Sequence, residues 1–296
     1  MDASDLRVFH AVARLGSIGK AALELHTVQS NVTARIKTLE KDLGAKLFER
    51  NPRGVTLTSA GKRLLPFADK AGALFVQARR AVADDGDPAG PLCVGSLETT
   101  AALRLPPLLS RFAGAHPRVD LTLVTGTSDS LIRDVLEHRL EGAFVVGPVS
   151  HPELDEEMVY REELVLVTAP GVRSIEQLRE AANLKIIVFR SGCTYRHRLE
   201  AFLAARGLVG IRQLEFGTLG GIVGCVSAGL GVTLLPRAVI AAELRDGLVA
   251  AHDLPAGEAR ADTVFVRRSD ALASSAMTAF VEAARPLPIR LVRQSD

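Results

Sequence analysis

Near the start of the chain, apolar residues recur at helical spacing. Leu6, Phe9 and Ala13 share one face, the rhythm of an amphipathic helix. Gly16-Ser17 interrupts it, and Ser17 is placed to cap a short helix over Ile18–Leu25. His26-Thr27 reads as a turn, with Thr27 capping a third helix from Val28 to Leu43. Its apolar stripe is Val28, Val32, Ile36, Leu39 and Leu43, and Gly44 supplies the terminating glycine. Leu47–Arg50 and Gly54–Leu57 flank Asn51-Pro52-Arg53, a small hairpin with a basic tip. Thr58 or Ser59 then caps a long helix reaching about Val82, which Pro66 should kink or weaken in its first turns. Leu64, Ala68, Ala71, Phe75, Ala78 and Val82 repeat along it as a heptad seam, and a dimer is expected to cover that seam.

Asp84 to Pro91 is a linker by composition, and beyond it the period changes. Short apolar runs at Leu92–Gly95, Leu121–Val124, Ala143–Val146, Leu164–Val167, Ile186–Phe189, Val232–Leu235 and Thr263–Val266 read as strands. Helical stretches at Ala101–Phe112, Ser130–Leu140, Tyr195–Arg206 and Leu219–Ala228 lie between them. That alternation predicts α/β units with parallel sheets buried on both faces, so the fold class is a helical module followed by α/β.

Composition is ordinary: 296 residues, 47% hydrophobic and 24% charged, which excludes disorder, collagen and a coiled-coil rod. No apolar run approaches the ~18 residues of a membrane span. The first residues lack a basic-then-apolar export pattern, so the cytoplasm is the expected compartment. Three cysteines build no disulfide framework. The net charge of +2 changes the picture once it is divided along the chain. Residues 1–83 hold fourteen basic and seven acidic side chains, the linker to residue 90 adds three Asp, and residues 91–296 carry twenty-two basic against twenty-four acidic. A basic first quarter on a near-neutral body predicts a polyanion-binding module joined to something else.

Gln29, Ser30, Thr33 and Lys37 share an arc beside the apolar stripe of the third helix. Gln pairs with an adenine edge, Ser and Thr with several bases, and Lys with guanine or phosphate. An amphipathic helix with a solvated face explains the arc alone; the basic hairpin and the charge tip the reading toward helix-turn-helix DNA binding. The segment FHAVARLGSIGKAALELHTVQSNVTARIKTLEKDLGAKLFERNPRGVTLTSAG, Phe9 to Gly61, closely resembles the DNA-binding region of LysR-type transcriptional regulators. It carries G-S, A-A, L-H, Q-S, I-x-x-L-E, L-G, L-F-x-R and L-T-x-A-G in order. The resemblance implies a winged helix-turn-helix in which Gln29, Ser30 and Thr33 reach base edges. Ser17, Thr27, Arg35 and Lys37 would contact the DNA as well, the last three on its backbone, and Arg50 and Arg53 of the wing would enter the minor groove. Where the family often has proline, this chain has Ser30-Asn31.

The same resemblance divides the chain into a DNA-binding domain (1–58), a dimerisation helix (59–83), a hinge (84–90) and an effector domain (91–296). The effector domain would hold two α/β subdomains like a periplasmic binding protein, about 91–162 with 269–290, and 163–268, joined near Arg161–Glu163 and Arg267–Asp270. It implies an interrupted palindromic promoter site on double-stranded DNA, a homodimer assembling into a homotetramer, a small-molecule effector, and RNA polymerase as a candidate partner.

Ligands in such sheets sit beyond strand carboxyl ends. Glu98-Thr99-Thr100, Thr127-Ser128, Gly147-Pro148, Ser191-Gly192-Cys193-Thr194 and Thr218-Leu219 occupy those places. All but Gly147-Pro148 offer hydroxyls or amides to a small anion, with Arg190 and Arg196 as counter-charge, although capping is the commoner role of any single hydroxyl. Cys193, in a strand-to-helix loop near those arginines, is expected to have a lowered thiol pKa. With Cys225 it gives an alternative reading as a redox-sensing regulator of the same fold, while Cys93 reads as core. An enzyme using Cys193 or Ser191 with His197 as base is a weaker rival. His10, His26, His138, His151 and His197 lack metal-ligand spacing. With no P-loop, G-x-S-x-G or H-E-x-x-H either, no cofactor, metal or catalysis is expected.

Overall fold

The computed structural model describes residues 1–51, 54–179 and 184–285, and the chain forms two units, the first made of Met1–Asp84 with Glu137–Arg139 and the second of the remaining residues from Asp85 on. In the first, α1 (Ala3–Leu15) opens with a capping box in which the Asp2 and Asp5 carboxylates each accept the other's backbone amide. Ser17 caps α2 (Ile18–Glu24), and α3 (Gln29–Leu43) ends at Gly44 in the left-handed region. The residue at the α3 cap is Val28, with no side-chain bond; the Thr27 hydroxyl instead accepts from Asn31 Nδ2 at 2.9 Å. Phe9, Val12, Ala21, Val32, Leu39 and Leu47 are buried between the three helices. Burying a side chain such as Phe9 contributes roughly 1.5–3 kcal/mol. The predicted stripe is buried only in its middle: Val28, at the N-cap, is 64% exposed and Leu43, in the last turn, 40%.

Strands β1 (Phe48–Asn51) and β2 (Gly54–Leu57) pair antiparallel as the predicted hairpin. Thr58 caps α4 (Ser59–Ala83), which runs through Pro66 unbroken. Its heptad seam is not one surface. Leu64 and Ala68 pack against the α1–α3 core, whereas Phe75 is 54% and Val82 91% exposed. Ala71 is half-buried and Ala78 exposed.

The second unit contains β3 (Gly90–Leu97), α5 (Glu98–Leu103), α6 (Leu105–Ala115), β4 (Val119–Gly126), α7 (Ser128–Leu136), β5 (Gly142–Val146) and β6 (Leu154–Thr168). Then come β7 (Lys185–Phe189), α8 (Thr194–Ala204), β8 (Arg212–Phe216), α9 (Leu219–Ser227), β9 (Thr233–Pro236), α10 (Ala241–Arg245), β10 (Ala250–Asp253), β11 (Arg260–Arg268) and α11 (Ser275–Ala284). The single helix expected over 101–112 is two, because Pro106 and Pro107 start a new one after Arg104.

The sheets are mixed rather than parallel. β3 is parallel to β4 and β5, and β7 to β8, but β11 runs antiparallel to both β5 and β6. The long β6 joins two lobes: its first part pairs with β11, and Leu164–Thr168 pairs with β9 and β10. The chain returns between β10 and β11, earlier than the expected Arg267–Asp270, because β11 completes the first lobe's sheet. One apolar cluster runs through both lobes, from Leu131 and Val145 to Ile186, Cys193 and Leu199. Each lobe adds an outer cluster: Phe112, Phe144, Phe265 and Phe280 in the first, and Ile187, Ile222 and Leu235 in the second.

Candidate functional site

In the first unit, α2 and α3 are joined by a tight turn in which His26 takes a positive φ of 50° and Thr27 N donates to Ala22 O. Along α3, Gln29, Ser30 and Lys37 are exposed and Thr33 half-buried, on the arc beside the buried Val32, Ile36 and Leu39. Ser17 caps α2, so its hydroxyl already serves a backbone amide. Arg35 departs from its expected role as a free backbone contact: its guanidinium bonds Asp5 at 2.9 Å and faces Asp2 at 3.7 Å, tying α3 to α1. Ala34 is exposed beside Ser30 on α3; being apolar, it is not among the expected residues.

The hairpin is held against the helices from two sides. Val55 N donates to Gly16 O at 2.9 Å, and a Cβ on Gly54 (φ 134°) would stand 2.6 Å from that oxygen. On the other side the buried Glu40 carboxylate accepts from Leu47 N at 2.9 Å, Phe48 N at 3.4 Å and Lys46 Nζ at 2.8 Å. Burial pushes the Glu40 carboxyl up, but the Lys46 ammonium and the two amides outweigh it and hold the group below the ordinary carboxylate range. The wing register therefore depends on a recognition-helix residue. Its signal in the sequence is the last letter of I-x-x-L-E. The Arg50 side chain and Arg53 lie outside the described residues.

In the second unit a cavity of about 310 Å³ opens between the lobes. Thr99, Thr127, Cys193 and Thr194 line it. Thr100 and Ser128 are buried and do not line it, nor do Gly147 and Pro148 (joined by a cis peptide bond after β5) or Thr218, whose hydroxyl caps α9. Ser128 Oγ instead accepts from Thr194 Oγ1 and from Val146 N, both at 3.3 Å, a bridge between the lobes. Ser130, not among the expected residues, also lines the cavity and forms a reciprocal box with Thr127 at the start of α7. Leu97, Val146, Phe189 and Phe216 supply apolar walls that short strand patterns do not reveal.

The electrostatics of the cavity differ from expectation at two groups. Arg196 is held by Glu200 at 3.2 Å and Glu215 at 2.6 Å, so it offers no free charge. Arg190 lines the mouth and, among the described residues, faces no carboxylate. Cys193 is buried, and burial pushes its thiol up, against the expected lowering; the amides of Arg196 and Tyr195 and the Arg196 charge do not overcome it. Cys225 packs against the outer cluster of the second lobe rather than beside Cys193's cluster, so nothing here favours the cysteine-switch alternative. Desolvation likewise drives the Tyr195 phenol far above its ordinary range, with the Thr99 hydroxyl as its partner. Beneath it Glu162 is buried and held by a two-pronged Arg104 at 2.9 and 3.0 Å, on the strand that joins the lobes. Among the described residues no His, Cys, Asp and Glu cluster could hold a metal, and no helix is long and apolar enough to cross a membrane.

Residues 3–62 match the family model for bacterial regulatory helix-turn-helix proteins of the lysR family, and residues 85–287 match the LysR substrate binding domain. The chain is 45% identical over 276 residues to the HTH-type transcriptional regulator GltR of Bacillus subtilis (strain 168), covering 93% of each. Its fold is similar to a full-length OxyR point variant from Pseudomonas aeruginosa (TM-score 0.68, 19% identity, 96% of this chain and 93% of that one). It is also similar to full-length CbnR complexed with its target DNA (TM-score 0.65, 23% identity, 96% and 99%).

Proposed function

The chain belongs to the LysR family and is a DNA-binding transcriptional regulator with an effector-binding domain, and from that premise we propose which residues do the work. Gln29, Ser30 and Thr33 read base edges in the major groove, while Thr27 and Lys37 hold phosphates and Arg50 and Arg53 reach the adjacent minor groove. Phosphate contacts set register and base contacts set sequence choice. The site is an interrupted palindrome, because a two-fold dimer presents two such helices. The dimer forms through the outer half of α4, where Leu74, Phe75, Val76 and Val82 are exposed, and dimers pair into a tetramer on promoter DNA in the cytoplasm, where RNA polymerase is the candidate target.

The effector is a small molecule with an anionic group that faces Arg190, in a cavity whose polar lining is Thr99, Thr127, Ser130 and Thr194. Its apolar part lies against Phe189 and Phe216. The observation that carries this reading is Arg190, which faces no carboxylate among the described residues and lines a hydroxyl-rich cavity between two lobes. A ligand touching both lobes favours one separation of them, and only such differential binding can shift DNA affinity or bend.

The test is thermal denaturation of the full chain against a panel of small carboxylates, phosphates and neutral isosteres. At least one anion is expected to raise the melting temperature, and Arg190→Gln to weaken its binding by roughly 10–150-fold, the size of a lost charge-assisted bond. Stabilisation by neutral compounds alone, or full binding by Arg190→Gln, would overturn the assignment.

A further inference from the structure

The exposed face of α3 and the wing do not account for every cation on the first unit. A dimple beside the helix-turn-helix turn is lined by Ser4 and Arg7 of α1, by His26 and Thr27 of the turn, and by Asn31 and Arg35 of α3. A second dimple adjoins it, and Arg7 and His26 line both, so Arg7 stands on the ridge between them.

The carboxylates of the neighbouring elements are engaged elsewhere. Asp2 and Asp5 close the cap of α1 and face Arg35, Glu24 pairs with Arg14, and Asp69 with His10. Arg7 is exposed and, among the described residues, has no hydrogen-bond or ion-pair partner. Thr27 Oγ1 accepts from Asn31 Nδ2, which leaves the hydroxyl proton of Thr27 free to donate outward into the same dimple. An unpaired guanidinium, a free hydroxyl donor and the exposed Ser4 hydroxyl meet in a concave surface at the flank of the recognition helix.

We propose that this dimple is a seat for a phosphate of the DNA backbone, with Arg7 as the charge and Thr27 and Ser4 as hydroxyl donors. A phosphate fits because a guanidinium fork matches its oxygens and because Arg7 lies off the base-reading arc of α3. The seat extends the DNA contact from α3 and the wing onto the first helix. It sets how deeply α3 enters the groove and carries no sequence information of its own. The inference rests on DNA binding by this unit, and the wild-type control tests that premise separately.

The experiment measures binding of the full chain to two duplexes across salt: one selected by the wild-type protein from random-sequence DNA, and its scrambled counterpart. A lost phosphate contact flattens the slope of log K against log salt by about 0.9 for each half-site engaged. Extrapolated from 1 M salt, that is about a 4-fold loss at 200 mM and about a 15-fold loss at 50 mM per half-site. Arg7→Gln is expected to show that loss equally on both duplexes, and Arg7→Lys to keep the slope. The circular dichroism and melting temperature of Arg7→Gln should match wild type, because Arg7 is exposed and holds no partner among the described residues. An unchanged slope in Arg7→Gln, or a loss confined to the selected duplex, would overturn the seat while leaving DNA binding intact. A wild-type slope near zero would overturn both.

Discussion

Replacing Glu40 by Ala should loosen the wing before it affects the rest of the first unit. The buried carboxylate accepts from Leu47 N at 2.9 Å, and Leu47 is itself buried, so the variant strands a donor that water cannot reach. A buried hydrogen bond to a charged acceptor is worth about 1.5–3 kcal/mol. The 3.4 Å contact with Phe48 N adds little, and the Lys46 ammonium, 75% exposed, adds roughly 0–1 kcal/mol. The expected loss is about 2–3 kcal/mol, with Glu40→Gln nearer about 1 kcal/mol because the amide oxygen still accepts from Leu47. Hydrogen exchange of the full chain reads this at the Leu47 and Phe48 amides; tryptophan fluorescence cannot, because the chain has no Trp. The pH dependence has a fixed sign. Glu40 is held below the ordinary carboxylate range in the folded protein, so its contribution is complete above the unfolded-state value of about 4.3 and is lost as pH falls through the depressed one. Protection in Glu40→Ala within about 0.5 kcal/mol of wild type, less than any hydrogen bond the clamp requires, would show that Glu40 does not hold the wing.

Three further outcomes follow from particular contacts. Gln29→Ala should lose about 1–3 kcal/mol of discrimination at one base position in a binding assay and leave affinity for scrambled DNA unchanged; equal loss on both would put Gln29 on the backbone instead. Phe75→Asp should weaken the dimer in sedimentation with the helical signal retained, whereas Leu64→Asp, on the same heptad seam, should unfold the first unit; the reverse pattern would contradict the division of α4. Cys193 should alkylate far more slowly in the native chain than in urea at pH 7, because burial raises its thiol, and equal rates would reopen the redox reading.

Most of the DNA-binding module is legible in the sequence because its instructions are local. Ser17, Gly44 and Thr58 act on the residues next to them, and the 3–4 spacing of α3 marks its buried side. What escapes is set by partners far along the chain. Glu40 looks like a surface residue until Leu47 folds over it, and Arg35 looks like a free cation until Asp5 arrives from α1. The heptad of α4 is regular from end to end, but only α1 decides which half is already covered. In the body, short apolar runs predict seven strands, but strand direction does not show in composition. β11 lies antiparallel between β5 and β6, which moves the second crossing between the lobes. β8 and β10 escape because their half-exposed sequences, Arg212–Phe216 and Ala250–Asp253, carry little apolar signal. The hydroxyls of the cavity are legible as strand-end positions; which ones face inward depends on the packing of the two lobes.

Reading of a specific promoter sequence by α3 as a two-fold pair is decided by nuclease footprinting of the purified full chain on the DNA upstream of its own gene. Two protected half-sites related by a dyad are expected, their centres about 10–10.5 base pairs or a multiple of that apart, with the pattern blurred by Gln29→Ala. No protection at low salt, or uniform coverage without half-sites, would rule out two-fold sequence reading by α3.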